Sequence, residues 1–114
     1  MRLETHDGLF SDPAAAGDIG RAVAGLTEVG KAYAIMSPTP DSEEYVQAAG
    51  TCAEGFIVER RDGGVGDHYR GDRRLSSDEL VAMLDGYLRG TTDWSHVISW
   101  HHVRVDFAAA NANA

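Results

Sequence analysis

The chain of 114 residues is 43% hydrophobic and 25% charged, which suits one domain with its own core, is too short for two of ordinary size, and speaks against global disorder. Eighteen acidic side chains against ten basic ones give a net charge of −8, which repels a phosphate backbone and argues against nucleic-acid binding. Most of the excess lies in residues 1–59, with ten acids and three bases, whereas residues 60–114 carry eight acids and seven bases; such a half suits a basic protein partner and also serves solubility.

The N-terminal "MRLETHDGLF" is acidic and lacks the apolar stretch of a secretory signal. The longest apolar runs, Ala32 to Met36 and Phe56 to Val58, fall far short of the roughly 20 residues that cross a bilayer. A cytoplasmic location with no membrane contact is therefore expected. In "SDPAAAGDIGRAVAGL", Asp12 is placed as an N-cap and Pro13 as the first helical residue. Ile19, Ala22, Val23 and Leu26 follow at i, i+3, i+4 and i+7, an apolar stripe that needs a partner surface.

"KAYAIMS", "EEYVQAAG" and "GFIVERRD" read as three strands closed by proline, glycine or polar turn residues. The register of the second is open: either Val46 and Ala48, or Tyr45 and Gln47, point inward. Cys52, the single cysteine, permits no disulfide or multi-cysteine zinc cluster and is expected to be a buried, inert thiol. A fourth strand, "GDHYRGD", follows a turn predicted at Gly63-Gly64, residues that accept the positive φ of tight hairpin turns. That turn sets Val58 opposite Tyr69, Glu59 opposite His68 and Ile57 opposite Arg70. Phe56, Val58 and Tyr69 then face the core, while Glu59, Arg61, His68 and Arg70 share the other face with Ile57.

"LSSDELVAMLDGYLRG" carries a capping box, Ser76 with Glu79, inside a hydrophobic staple of Leu75 and Leu80. Leu80, Leu84, Tyr87 and Leu88 form its buried stripe, and Gly90 stands where a left-handed residue ends a helix. "HVISWHHVRV" is compatible with a short last strand, and residues 108–114 are expected to fray beyond a domain spanning 1–107. The order implies an α+β, two-layer fold: an antiparallel sheet of four to five strands with the N-terminal and C-terminal helices packed on one face.

The uncovered face would bring an acid, an imidazole and two guanidiniums together at Glu59, His68, Arg61 and Arg70, a set suited to anion binding or proton transfer but also to a solvated sheet. His96, His101 and His102 lack metal-site spacing, and neighbours in a strand point to opposite faces, so His101 and His102 should not share an ion. Trp94 and Trp100 are expected to close the core against the second helix or, if exposed, to serve with His101 as a binding surface. The interrupted basic run Arg70, Arg73, Arg74 reads as a solvated loop. No nucleotide, nucleophile-elbow or dithiol motif occurs, and no cofactor or catalytic residue is assigned.

"EYVQAAG", "GFIVERRD" and "RLSSDELVAMLDGYLRGTTDWSHVISW" together resemble the small Imm1-type immunity proteins with which bacteria neutralise polymorphic toxins. The resemblance covers residues 43–102, and Trp100, here followed by His101, is the residue carried across. It implies a non-enzymatic α+β protein that occludes a toxin's active site, with an acidic surface complementing a basic, nuclease-like or deaminase-like partner. The alternatives are a small anion-binding domain or a minor enzyme using the Glu/His/Arg face. A homodimer covering that face is a further possibility.

Overall fold

The computed structural model describes residues 1–63 and 66–103. The elements are β1 (Arg2–Thr5), β2 (Gly8–Ser11), α1 (Ala16–Ala24), β3 (Tyr33–Ser37), β4 (Glu44–Thr51), β5 (Gly55–Asp62), β6 (His68–Gly71), α2 (Ser77–Arg89), a 3-10 turn (Asp93–His96) and β7 (Trp100–His102). All strands pair antiparallel in one sheet of order β2-β1-β3-β4-β5-β6-β7. The α+β class agrees with expectation, but the sheet has seven strands rather than four to five. The additional pair is an N-terminal hairpin of four-residue strands, too short for a period-2 signal to stand out.

Leu3, Met36, Val46, Ala48, Phe56 and Val58 project from one sheet face and meet Ile19, Val23 and Leu26 of the α1 region and Leu80, Met83 and Leu84 of α2. This settles the open register of β4: Val46 and Ala48 are buried, and Tyr45 and Gln47 lie on the opposite face, half-buried. Fully burying each of the larger side chains, the valines, leucines, isoleucine, methionines and phenylalanine, contributes about 1.5–3 kcal/mol. Among the described residues, no helix is long and apolar enough to cross a membrane.

The predicted stripe of α1 is buried, but the helix starts at Ala16, and Asp12 is not its cap. The Asp18 carboxylate instead reaches back to accept the Ala15 N–H at 2.8 Å, and this bond, the largest cause, holds the Asp18 carboxyl below its ordinary pKa. In α2 the capping box is present: Ser76 Oγ accepts the Glu79 N–H at 3.2 Å, and Glu79 Oε1 accepts the Ser76 N–H at 3.1 Å. Gly90 closes the helix at φ 74°. Leu80, Met83, Leu84 and Tyr87 are its buried residues, with Leu88 half-buried.

The β5–β6 register differs from the predicted one. Glu59 faces Arg70, Arg60 faces Tyr69 and Arg61 faces His68. The Asp62 N–H donates to the Asp67 carbonyl at 3.0 Å, so four residues, 63–66, lie between this bonded pair instead of the two of the predicted turn; Gly64 and Val65 lie outside the described residues. The slip is two residues, and since side chains alternate with period two, every side chain keeps its predicted face. Its physical cause is visible at Gly71, brought beside Val58 in place of Tyr69. A Cβ at 71 would lie 2.9 Å from Val58 Cγ2 and closer still to Ile98 Cδ1, so the absent side chain lets Ile98 close over the core there.

Cys52 is not buried as expected. It sits in the β4–β5 turn, exposed, and its Sγ donates to the Val23 carbonyl at 3.2 Å. The predicted last strand is present as Trp100–His102, paired to β6, whereas residues 108–114 lie outside the described residues.

Candidate functional site

The helices cover one sheet face and leave the other open. Across the open face the register aligns Ile35, Gln47, Glu59, Arg70 and His101 in one row and Tyr45, Arg61 and His68 in the next. Five of the residues singled out from sequence, Glu59, Arg61, His68, Arg70 and His101, therefore share this face.

Glu59 is the hub of that group. Its Oε1 accepts from Arg70 Nε at 2.9 Å and lies 2.8 Å from a terminal guanidinium nitrogen of Arg70. Its other oxygen, Oε2, lies 3.1 Å from His68 Nε2. The Tyr45 and His68 rings meet edge to face at 6.3 Å between centroids. The Glu59 and His68 side chains are each 19% exposed and that of Arg70 is 56% exposed, so the carboxylate is largely enclosed by its own partners. Both oxygens of this carboxylate are therefore engaged by its own neighbours, which fix its orientation. Among the described residues, no serine, threonine or cysteine donates to or accepts from His68.

Trp94 and Trp100 stand on the opposite, helix-covered side, half-buried against the core. They do not join the Glu59 group. With Tyr69 they surround the guanidinium of Arg60, whose central carbon lies 4.7 Å from the Tyr69 ring, 5.0 Å from Trp100 and 5.7 Å from Trp94. The indoles meet edge to face at 6.1 Å, and Tyr87 packs on Trp94 at 5.2 Å. Trp100 Nε1 donates to the Ser95 carbonyl at 2.7 Å, and Arg60 pairs with Asp62 at 3.3 Å. The Tyr87 hydroxyl donates to Glu44 Oε1 at 3.4 Å; burial first, then the Glu44 charge, push its pKa well above the ordinary value. Cation–π contact with three rings makes Arg60 the centre of an aromatic box.

Sequence reading missed Arg60, although the signal was there. It falls two residues after Val58 and four after Phe56, on the inward alternation, and only its charge argued against an inward position. His101 and His102 point to opposite faces, as a strand requires, and His102 meets Tyr69 edge to face at 5.3 Å between centroids. The basic run is tied locally: Arg73 forks onto both carboxylate oxygens of Glu79 at 2.8 and 3.3 Å, and Arg74 reaches the Gly55 carbonyl at 3.4 Å.

No protein-family model, no curated protein and no solved structure matches the chain.

Proposed function

We propose that the protein is a non-catalytic protein-binding module whose partner docks on the uncovered sheet face. One observation carries this reading: the face left bare by both helices presents Tyr33, Ile35, Tyr45 and Ile57 beside Arg61 and Arg70, while its central carboxylate is already bonded to Arg70 and His68. Tyrosine and arginine framed by aliphatic side chains make up the usual energetic centre of a protein interface. The competing reading, an anion site or minor enzyme built on Glu59, Arg61, His68 and Arg70, is weaker because Glu59 occupies the Arg70 fork.

The partner that suits this chain is basic. A net charge of −8 steers a cationic protein over long range, whereas contact on the face itself, which mixes Glu4 and Glu59 with Arg2, Arg61 and Arg70, is mainly aromatic and aliphatic. The resemblance of residues 43–102 to Imm1-type immunity proteins favours a bacterial toxin as that partner.

The test is affinity capture from the cell that makes the protein, comparing wild type with Tyr45→Ala/Ile57→Ala and with Arg89→Ala on the exposed end of α2. A specific partner held by wild type and by Arg89→Ala, and weakened roughly 30-fold or more by the double variant, is expected. Equal capture by all three forms removes the open face from the interface. A wild-type dimer in sedimentation that the double variant dissociates assigns the face to a second copy instead.

A further inference from the structure

We infer that His6, Asp7 and Glu28 form a binding site for a first-row divalent cation of the zinc type. His6 and Asp7 make up the two-residue turn between β1 and β2, and Glu28 lies in the connection that leads from α1 to β3. The His6 N–H donates to the Tyr33 carbonyl at 3.1 Å, which fixes the turn against β3. His6 Nε2 consequently stands 2.9 Å from Glu28 Oε2 and 3.4 Å from Asp7 Oδ1, and the three donor atoms all lie within 4.8 Å of one another. No other described group of histidine, cysteine and acidic side chains converges in this way.

Two further observations point to a ligand rather than to a solvated acidic turn. The imidazole is only 10% exposed, packed against Tyr33 at 6.1 Å between ring centroids, so a buried nitrogen base is held facing two carboxylates. Neither carboxylate is within ion-pair distance of a lysine or arginine among the described residues. The site thus sets two carboxylates around a metal-ligating nitrogen, and Arg21, the cation lining the adjoining cleft, is paired with Asp18.

The donor geometry fits. Bonds of about 2.0–2.2 Å to imidazole nitrogen and carboxylate oxygen set donor–donor edges near 3.3 Å around a tetrahedral ion. The separations of 2.9 and 3.4 Å bracket that edge. Asp7 and Glu28, with side chains 81% and 57% exposed, are free to close the edge between their own carboxylates while the buried ring stays put. Three protein ligands leave a fourth position for water, and the turn borders a cleft of about 270 Å³ floored by Ala22 and Leu26. His6 Nδ1 is buried with no hydrogen-bond partner among the described residues. Lacking the outer hydrogen bond that commonly strengthens a metal-bound histidine by about 10–100-fold, the site should bind in the micromolar range rather than more tightly.

The experiment is a calorimetric titration of the full chain, free of any histidine tag and dialysed against a chelator, with zinc chloride. One zinc per chain is expected, weakened about tenfold or more in Glu28→Gln, a change at an exposed side chain that leaves the fold intact by circular dichroism. Cys52→Ser and His101→Ala should bind zinc as wild type does. No uptake at millimolar zinc, binding unchanged in Glu28→Gln, or binding abolished by either control substitution overturns the assignment.

Discussion

Replacing Gly71 by alanine tests the packing that sets the β5–β6 register. The new methyl would sit 2.9 Å from Val58 Cγ2 and nearer still to Ile98 Cδ1, against a favourable carbon–carbon separation of about 3.5–4.0 Å. Val58 is fully buried on a central strand and cannot retreat; Ile98, 7% exposed and lying between the 3-10 turn and β7, is the side that yields. If Ile98 stays in place, the overpacked core loses about 1–3 kcal/mol. If Ile98 is pushed into water, the lost burial is about 1.5–3 kcal/mol. Both limits converge on a loss of about 2 kcal/mol, measurable by urea unfolding followed through Trp94 and Trp100. Ile98→Ala alone should lose about 2–5 kcal/mol. In the double variant the added methyl fills part of the vacated space, so the combined loss falls short of the sum by about 1 kcal/mol or more. A Gly71→Ala protein as stable as wild type, or strictly additive losses, refutes the close approach of Ile98 to the Gly71 backbone.

The Glu79 carboxyl is held at about 2, below its ordinary 4.5, chiefly by Arg73 and then by the Ser76 N–H. Its folded pKa is depressed, so the stability it contributes is present above about 4.5 and is lost as pH falls toward about 2. Glu79→Gln should flatten that part of the acid-unfolding profile, and an unchanged profile between those values counts against the linkage. Arg60→Met should destabilise the fold by about 1–2 kcal/mol through loss of cation–π contact with three rings, partly offset by removing a buried guanidinium Nε that has no partner among the described residues. Tryptophan emission in the folded state should shift with it; a Met variant with wild-type stability and spectrum shows that the box does not depend on the guanidinium.

The elements legible in the sequence were those with redundant local signals. α2 carried a cap, a staple, a stripe and a terminal glycine that agree, and each takes its expected place. β3, β4 and β5 were readable as β-prone runs between breakers. The grouping of Glu59, Arg61, His68 and Arg70 was readable because alternation alone assigns faces, even with the cross-strand partners displaced by two. What sequence could not supply was set by distant contacts. The start of α1 depends on Asp18 turning back to Ala15, and the exposure of Cys52 depends on where the β4–β5 turn falls. The separation of Trp94 and Trp100 from the Glu59 group depends on which side of β6 the chain returns after α2. His6 and Glu28, 22 positions apart, meet only because α1 folds back over the N-terminal hairpin.

The slip at the β5–β6 hairpin also sets a rule for length changes at its tip. Two residues can be inserted or deleted between Asp62 and Asp67 while every side chain keeps its side of the sheet, because the parity of the pairing is untouched. Adding or removing one residue would turn His68 and Arg70 toward hydrocarbon and Tyr69 toward water. Loop engineering at this site is therefore quantised in pairs.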